Sequence, residues 1–313
     1  MIEIIRYSPD LKGIWDNFVS KAKNHHFIFY RDYMEYHSDR FQDHSLLLFK
    51  KGKLVGLLPA NKDKDTLISH GGLTFGGILS NEKMTTPLML KIFNELLNYL
   101  KKNNFSEFIY KAIPYIYYSI PAEEDRYALF INNAELYRRD ITSAIYLKNK
   151  INYLYGRKYN IKKIKKENLE VSRSLEFDKY MEIVKDLLYK KYKASPVHTS
   201  EEIKKLAAKF PENIKLFTAK NEIDEILGGV IIYENPKIAH CQYIAATEEG
   251  KKKGAIDIII DYLINEYYKD KDYFDFGTSN GKDGKYLNEG LIKYKESFGA
   301  KGVVHDFYRL KLK

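Results

Sequence analysis

One order of elements occurs twice along the chain, and this repetition limits the fold more than any single motif. In the first half, residues 45–49 (SLLLF) read as a strand, 50–53 (KKGK) as a hairpin turn and 54–59 (LVGLLP) as the return strand. A third strand at 66–70 leads into the glycine-rich stretch 71–77 (GGLTFGG). An amphipathic helix follows at 87–100, with Pro87 in its first turn, and then a strand at 108–113. The second half repeats this with strands at 214–219, 226–233 and 238–245, a loop at 246–254, a helix at 255–268 and a strand from Tyr273. Gly56 and Gly228 lie inside the two return strands. The pattern predicts an α/β (α+β) fold of two tandem units, each with a mainly antiparallel central sheet flanked by helices. The units are expected at residues 1–148 and 171–313, joined by a basic linker helix at 149–170.

Composition supports a globular chain. Hydrophobic residues make up 44% of 313 residues and charged residues 30%, enough to fill a core. The single cysteine, Cys241, excludes an intramolecular disulfide and a zinc site of several thiolates. His25 and His26 are adjacent without a supporting ligand set, so no metal is expected. The apolar run 256–264 is broken by Asp257, Asp261 and Tyr262, short of the ~20 residues of a membrane span. The opening residues are too charged for a secretory leader. A cytoplasmic protein is expected, with visits to a membrane surface compatible with its charge. The net charge of +10 favours anionic partners, although lysine spread along the whole chain also fits the codon bias of an AT-rich genome.

The second half resembles a GNAT acyltransferase unit. In that fold a meander delivers a strand that splays from its neighbour, and the following loop holds the pyrophosphate of acyl-coenzyme A at a helix N-terminus. Residues 249–255 (EGKKKGA) resemble that loop, with Ile256 where the pattern has a small residue. By this resemblance, Gly250, Lys251, Lys252, Lys253, Gly254 and Ala255 would bind the cofactor's phosphates. A tandem pair of such units resembles the FemABX-like branch. The tail carries the similarity: Asp275-Phe276-Gly277, a stretch rich in Gly and Lys, then 288–300 (NEGLIKYKESFGA). Arg138-Arg139-Asp140-Ile141 before the linker and the basic run 161–166 within it are also similar. The resemblance implies transfer of an acyl or aminoacyl group from acyl-CoA or aminoacyl-tRNA, a co-substrate and not a resident cofactor. The acceptor would be an amine of a cell-envelope precursor or a nucleotide-linked amino sugar. A polysaccharide-modifying role and tRNA as a partner both follow from it.

Individual residues carry two readings each. Lys295 is a candidate oxyanion donor, or else the partner of Glu289 or Asp275 in a salt bridge. Asp275 ends a strand, where a carboxylate could orient or deprotonate an amine, or cap a turn. His70, Gly71, Gly72, Thr74 and Phe75 are candidate substrate contacts, because paired glycines let a ligand approach the backbone; turn geometry is the alternative. Asn288 and Tyr294 complete the candidate substrate set. His240 and Cys241 are adjacent on a strand and face opposite ways, so they cannot form a Cys–His nucleophile pair. Tyr294 and Phe298, four apart, would share a helical face and leave Lys295 on another. Tyr153, Tyr155 and Tyr159 among the linker lysines suit either a solvated helix or a nucleic-acid stripe. The competing function is therefore a non-catalytic nucleic-acid- or tRNA-binding module using the basic surface.

Overall fold

The computed structural model describes residues 2–312. The chain forms two compact units: Met1–Ile141 with Asn280–Tyr286 and Val304–Lys313, and Thr142–Ser279 with Leu287–Val303. The chain's last strand therefore belongs mostly to the first unit and not to the C-terminal one. Its edge residues find their backbone partners there.

In the first unit, β1 (Ile2–Arg6), β2 (Leu46–Lys50) and β3 (Lys53–Leu58) pair antiparallel in order. The β2–β3 turn uses Lys51 and Gly52, both at positive φ, as a tight hairpin of matching twist requires. Next come β4 (Asn61–Asp63), β5 (Thr66–Ile68) and the two-residue β6 (Leu79–Ser80), which pairs with β3. The predicted helix is α1 (Thr86–Lys102). Thr85 caps it, and one apolar stripe of Leu88, Met89, Ile92, Phe93, Leu96 and Leu100 is buried. Then β7 (Glu107–Lys111) runs parallel to β5, with Leu67 opposite Phe108. The far side of β7 pairs antiparallel with the chain's last strand, Phe307 opposite Lys111. Leu310 and Leu312 enter the same core as α1.

A short α2 (Glu124–Ile131) leads to β8 (Glu135–Tyr146), whose residues 142–146 open the second unit. The expected linker helix exists as α3 (Tyr155–Ile164), but it belongs to the second unit. Its Ile161 is buried in that unit's core. Two helices that the sequence pattern leaves unassigned, α4 (Phe177–Tyr192) and α5 (Ser200–Lys209), follow β9 (Glu170–Ser174). The meander is β10 (Ile214–Lys220), β11 (Ile226–Glu234) and β12 (Ile238–Ala246), antiparallel throughout.

Residues 246–254 depart from the expected loop. Glu248–Lys253 is a helical turn, α6, followed through Gly254 (φ +71°) by α7 (Ala255–Tyr262). Thr247 accepts the Gly250 N–H, while Glu248 and Glu249 sit at the positive end and the three lysines at the negative end of the helix dipole. Lys251 and Lys253 also pair with Glu248 and Glu249 at 2.5 and 2.9 Å. The strand β13 (Tyr273–Thr278) runs parallel to β12, and α8 (Glu289–Glu296) precedes β14 (Lys301–Lys311). The fold is thus α/β with mainly antiparallel sheets flanked by helices, and in the first unit β1, β2, β3 and β6 form a four-stranded sheet separate from that of β4, β5 and β7. No described helix is long and apolar enough to cross a membrane.

Candidate active site

The parallel pair β12–β13 is in register over three residues only: Ile238 with Tyr273, Ala239 with Phe274, and His240 with Asp275. Beyond them β12 continues toward Ala246 along β11, with its register shifted past Cys241, while β13 stays paired on its other edge with residues 142–146 of β8. The His240–Asp275 pair therefore stands where the two strands part.

Asp275 is wholly buried, so each of its lone pairs needs a donor. Thr142 Oγ1 and the Gly277 N–H, the latter at 3.0 Å, both donate to Oδ1. His240 Nδ1 lies 2.8 Å from Oδ2. A carboxylate only accepts, so this contact places the ring proton on Nδ1 and the basic lone pair on Nε2. Gly277 makes the geometry possible. The pairing of β13 with β8 is irregular between Asp275 and Thr278, and Gly277 takes φ +77° there, turning its N–H back onto Asp275.

Lys295 approaches from α8. It is 3% exposed, and Nζ donates to Gly277 O at 2.7 Å and Thr278 O at 2.8 Å. Of the two alternative ion partners, Glu289 pairs instead with Lys293 at 2.9 Å, while the Asp275 charge does act on Lys295. Burial lowers the Lys295 pKa to about 8, against the opposing pull of the Asp275 charge. Cys241 lies in the apolar core on the opposite side of β12, and burial pushes its thiol well above the ordinary range. The arrangement thus brings an imidazole, a buried carboxylate and a buried amine together where the two strands part.

The other sequence candidates fall elsewhere. Asn288 caps α8, accepting the Leu291 N–H at 3.1 Å. Tyr294 is on a different face of α8 from Lys295; its hydroxyl donates to Asp257 at 2.8 Å and its ring meets Phe298 edge-on at 5.4 Å. The Gly250 Cβ position is filled by Leu227 O at 1.9 Å, and that of Gly254 by Ile164 Cδ1 at 2.3 Å. Both glycines thus serve close packing. Lys251, Lys252 and Lys253 line, with Asn160, Lys163 and the acids Glu167 and Asp257, a cleft of about 270 Å³ between α3 and α6.

His70, Gly71, Gly72, Thr74 and Phe75 form a separate cluster in the first unit. His70 is buried at φ +60°, and Lys111 Nζ donates to its carbonyl at 3.1 Å. A Cβ on Gly72 would stand 2.2 Å from His37 Nε2, and one on Gly76 2.0 Å from Ser69 O. These glycines admit the protein's own atoms. Phe75 is buried, whereas Gly71 and Thr74 are exposed. No described group of three or more His, Cys, Asp or Glu side chains could hold a metal. His240 is the site residue that the sequence pattern missed. Its signal was the parallel register of strands 238–245 and 273–276, which puts it on the same side of the sheet as Asp275.

No protein-family model matches the chain, and no curated protein matches its sequence. Its fold is similar to that of FemX, with TM-score 0.69 and 9% identity over 99% of this chain and 97% of that one. L-PGS from Bacillus licheniformis gives 0.61 and 12% over 96% and 91%. A tandem GNAT protein from the clavulanic acid biosynthesis pathway gives 0.52 and 11% over 100% and 99%. The class defined by these structures is the tandem GNAT fold. The fold shared with FemX over nearly the whole of both chains agrees with the FemABX-like fold that the resemblance implied.

Proposed function

We propose that the chain is an N-acyltransferase that moves an acyl or aminoacyl group from acyl-CoA or aminoacyl-tRNA to an amine. The observation that carries this reading is the His240–Asp275 pair at the parting of β12 and β13. An amine attacks the carbonyl carbon of the donor's thioester or ester. His240 Nε2 takes the proton that the new C–N bond makes acidic, and Asp275 holds the imidazolium that results. The tetrahedral oxyanion then collapses, and the thiolate or ribose alkoxide leaves with a proton returned from His240. Lys295 contributes positive charge beside the site and holds the carbonyls of Gly277 and Thr278 in place. The lysines of the α3–α6 cleft would meet donor phosphates. The acceptor class suggested by the fold is a cell-envelope precursor or a nucleotide-linked amino sugar.

The test incubates the chain with acetyl-CoA, or with charged bulk tRNA, and a panel of amino sugars and peptide amines. Release of free thiol or discharge of the tRNA is measured. Turnover that His240→Gln lowers by about 10²–10⁴ supports the reading. Inertness towards both donors, with tRNA binding that falls steeply with salt, returns the chain to the non-catalytic class.

A further inference from the structure

We infer that the outward face of α3 is a docking surface for an anionic lipid bilayer. Residues 154–166 (LYGRKYNIKKIKK) contain six cations and no acid. The helix divides them by face. Arg157 points inward and pairs with Asp257, and Ile161 is buried in the core. Tyr155, Tyr159 and Lys162 fall at i, i+4 and i+7 on the opposite face, with Lys158 beside them.

What these residues expose decides the partner. Tyr155 is 86% exposed, Leu154 and Tyr159 61%, and Ile151 51%. Two aliphatic side chains and two tyrosine rings thus stand in water at one end of a lysine-rich helix. Next to them a hollow of about 280 Å³ is lined by Ile151, Tyr153 and Ile161 with Lys150, Lys158 and Lys162, and its one acid, Asp261, is already paired with Lys165 at 2.8 Å. Phosphate backbones reward the lysines and rings but leave Leu154 and Ile151 in water. A bilayer interface satisfies all of them. The apolar and aromatic groups enter at headgroup depth while the lysines meet anionic headgroups, the arrangement of interfacial basic helices. The lysines of the α3–α6 cleft lie on another flank of the helix, so this face is distinct from the proposed phosphate contacts.

The inference needs no acyl donor, so its test is independent of the proposed reaction. The full chain is sedimented with phosphatidylcholine vesicles, with and without phosphatidylglycerol. Binding should require phosphatidylglycerol and fall with added salt. Lys158→Glu and Lys162→Glu together should weaken it at least ~25-fold, at about five-fold per lysine. Leu154→Ser with Tyr155→Ser should also weaken it severalfold, which a purely electrostatic contact would not show. In Tyr155→Trp the added indole emission should shift to the blue on vesicles. All these positions are exposed, and far-UV circular dichroism checks that each variant folds. Absence of vesicle binding, an unshifted indole emission in Tyr155→Trp, or loss of bulk tRNA binding in the lysine variant with vesicle binding intact would overturn the inference.

Discussion

Asp275→Asn tests the site at its centre, because it keeps the shape and changes only charge and one donor. Asp275 accepts from Thr142 and Gly277 on Oδ1 and from His240 Nδ1 on Oδ2. An asparagine oxygen can keep the two Oδ1 bonds, at roughly half the strength of charge-assisted ones. Its NH₂ then faces the Nδ1–H of His240, donor against donor. The ring must move its proton to Nε2 or rotate away. In a fully buried position an unmet donor costs about 1–3 kcal/mol, and the weakened pair adds to that, so a loss of about 2–4 kcal/mol is expected. Turnover should fall further, by about 10²–10⁴, since a proton on Nε2 removes the base. Two measurements read this out. Chemical denaturation gives the stability. Long-range nitrogen–proton NMR of the imidazole gives the tautomer without any substrate. The double variant with His240→Gln should be no slower than the slower single variant, because the residues act as a unit. An unchanged tautomer and unchanged stability in Asp275→Asn would refute the argument.

Lys295→Met should lower turnover by about 10²–10³ and also lower stability near neutral pH by about 1–3 kcal/mol, since two part-buried carbonyls lose a charged donor. In the parent protein the folded state holds Lys295 near pH 8 against 10.5 in the unfolded chain, so the unfolded state binds the extra proton between them and stability rises with pH across that window. Denaturation midpoints from pH 7 to 11 should show the rise in the parent and a flatter curve in the variant. Gly277→Ala places a Cβ at φ +77°, only 3.4 Å from His240 Cε1; melting should report a loss of about 1–2 kcal/mol, and imidazole NMR a shifted ring. Gly250→Ala, whose Cβ would meet Leu227 O at 1.9 Å, should cost about 2–3 kcal/mol or more, whereas Gly13→Ala, with nothing within 4 Å, should be neutral or stabilising by the same assay.

Periodicity carried most of the architecture. The 87–100 pattern became α1 because its apolar stripe had a sheet to cover, and the meander strands emerged nearly at their expected bounds. The end of the chain was not legible in this way. Strand 303–310 reads alike whichever sheet it joins, and only the pairing of Phe307 with Lys111 assigns it to the first unit. The 246–254 stretch misled for a physical reason. Two glycines suggest a loop, yet Gly250 is there so that a helix can approach Leu227 closely. Among the site residues, Asp275 and Lys295 were visible through a motif. His240 was not, because its role comes from a parallel neighbour thirty-five positions away in sequence.

The two units also show why the proposed chemistry falls in one of them. Each has a parallel strand pair entered from an antiparallel meander, and each pair is in register over three residues. In the second unit the third pair is His240 with Asp275, and the strands then separate. In the first unit the third pair is Ile68 with Ile109, which has no group to titrate. Just beyond it the space is closed by backbone: Lys111 N donates to Ser69 Oγ at 2.7 Å, Gly76 N to Lys111 O at 2.9 Å, and Lys111 Nζ to the carbonyls of His70 and Leu73. The glycines at 72 and 76 allow that closure, because any side chain there would collide with His37 or Ser69. The buried Lys111, its pKa lowered to about 7 chiefly by burial, is spent on holding the 70–77 segment shut. A glycine-rich stretch that looked like a ligand cradle in the sequence is thus packed against the protein's own atoms at the end of the first unit's parallel pair.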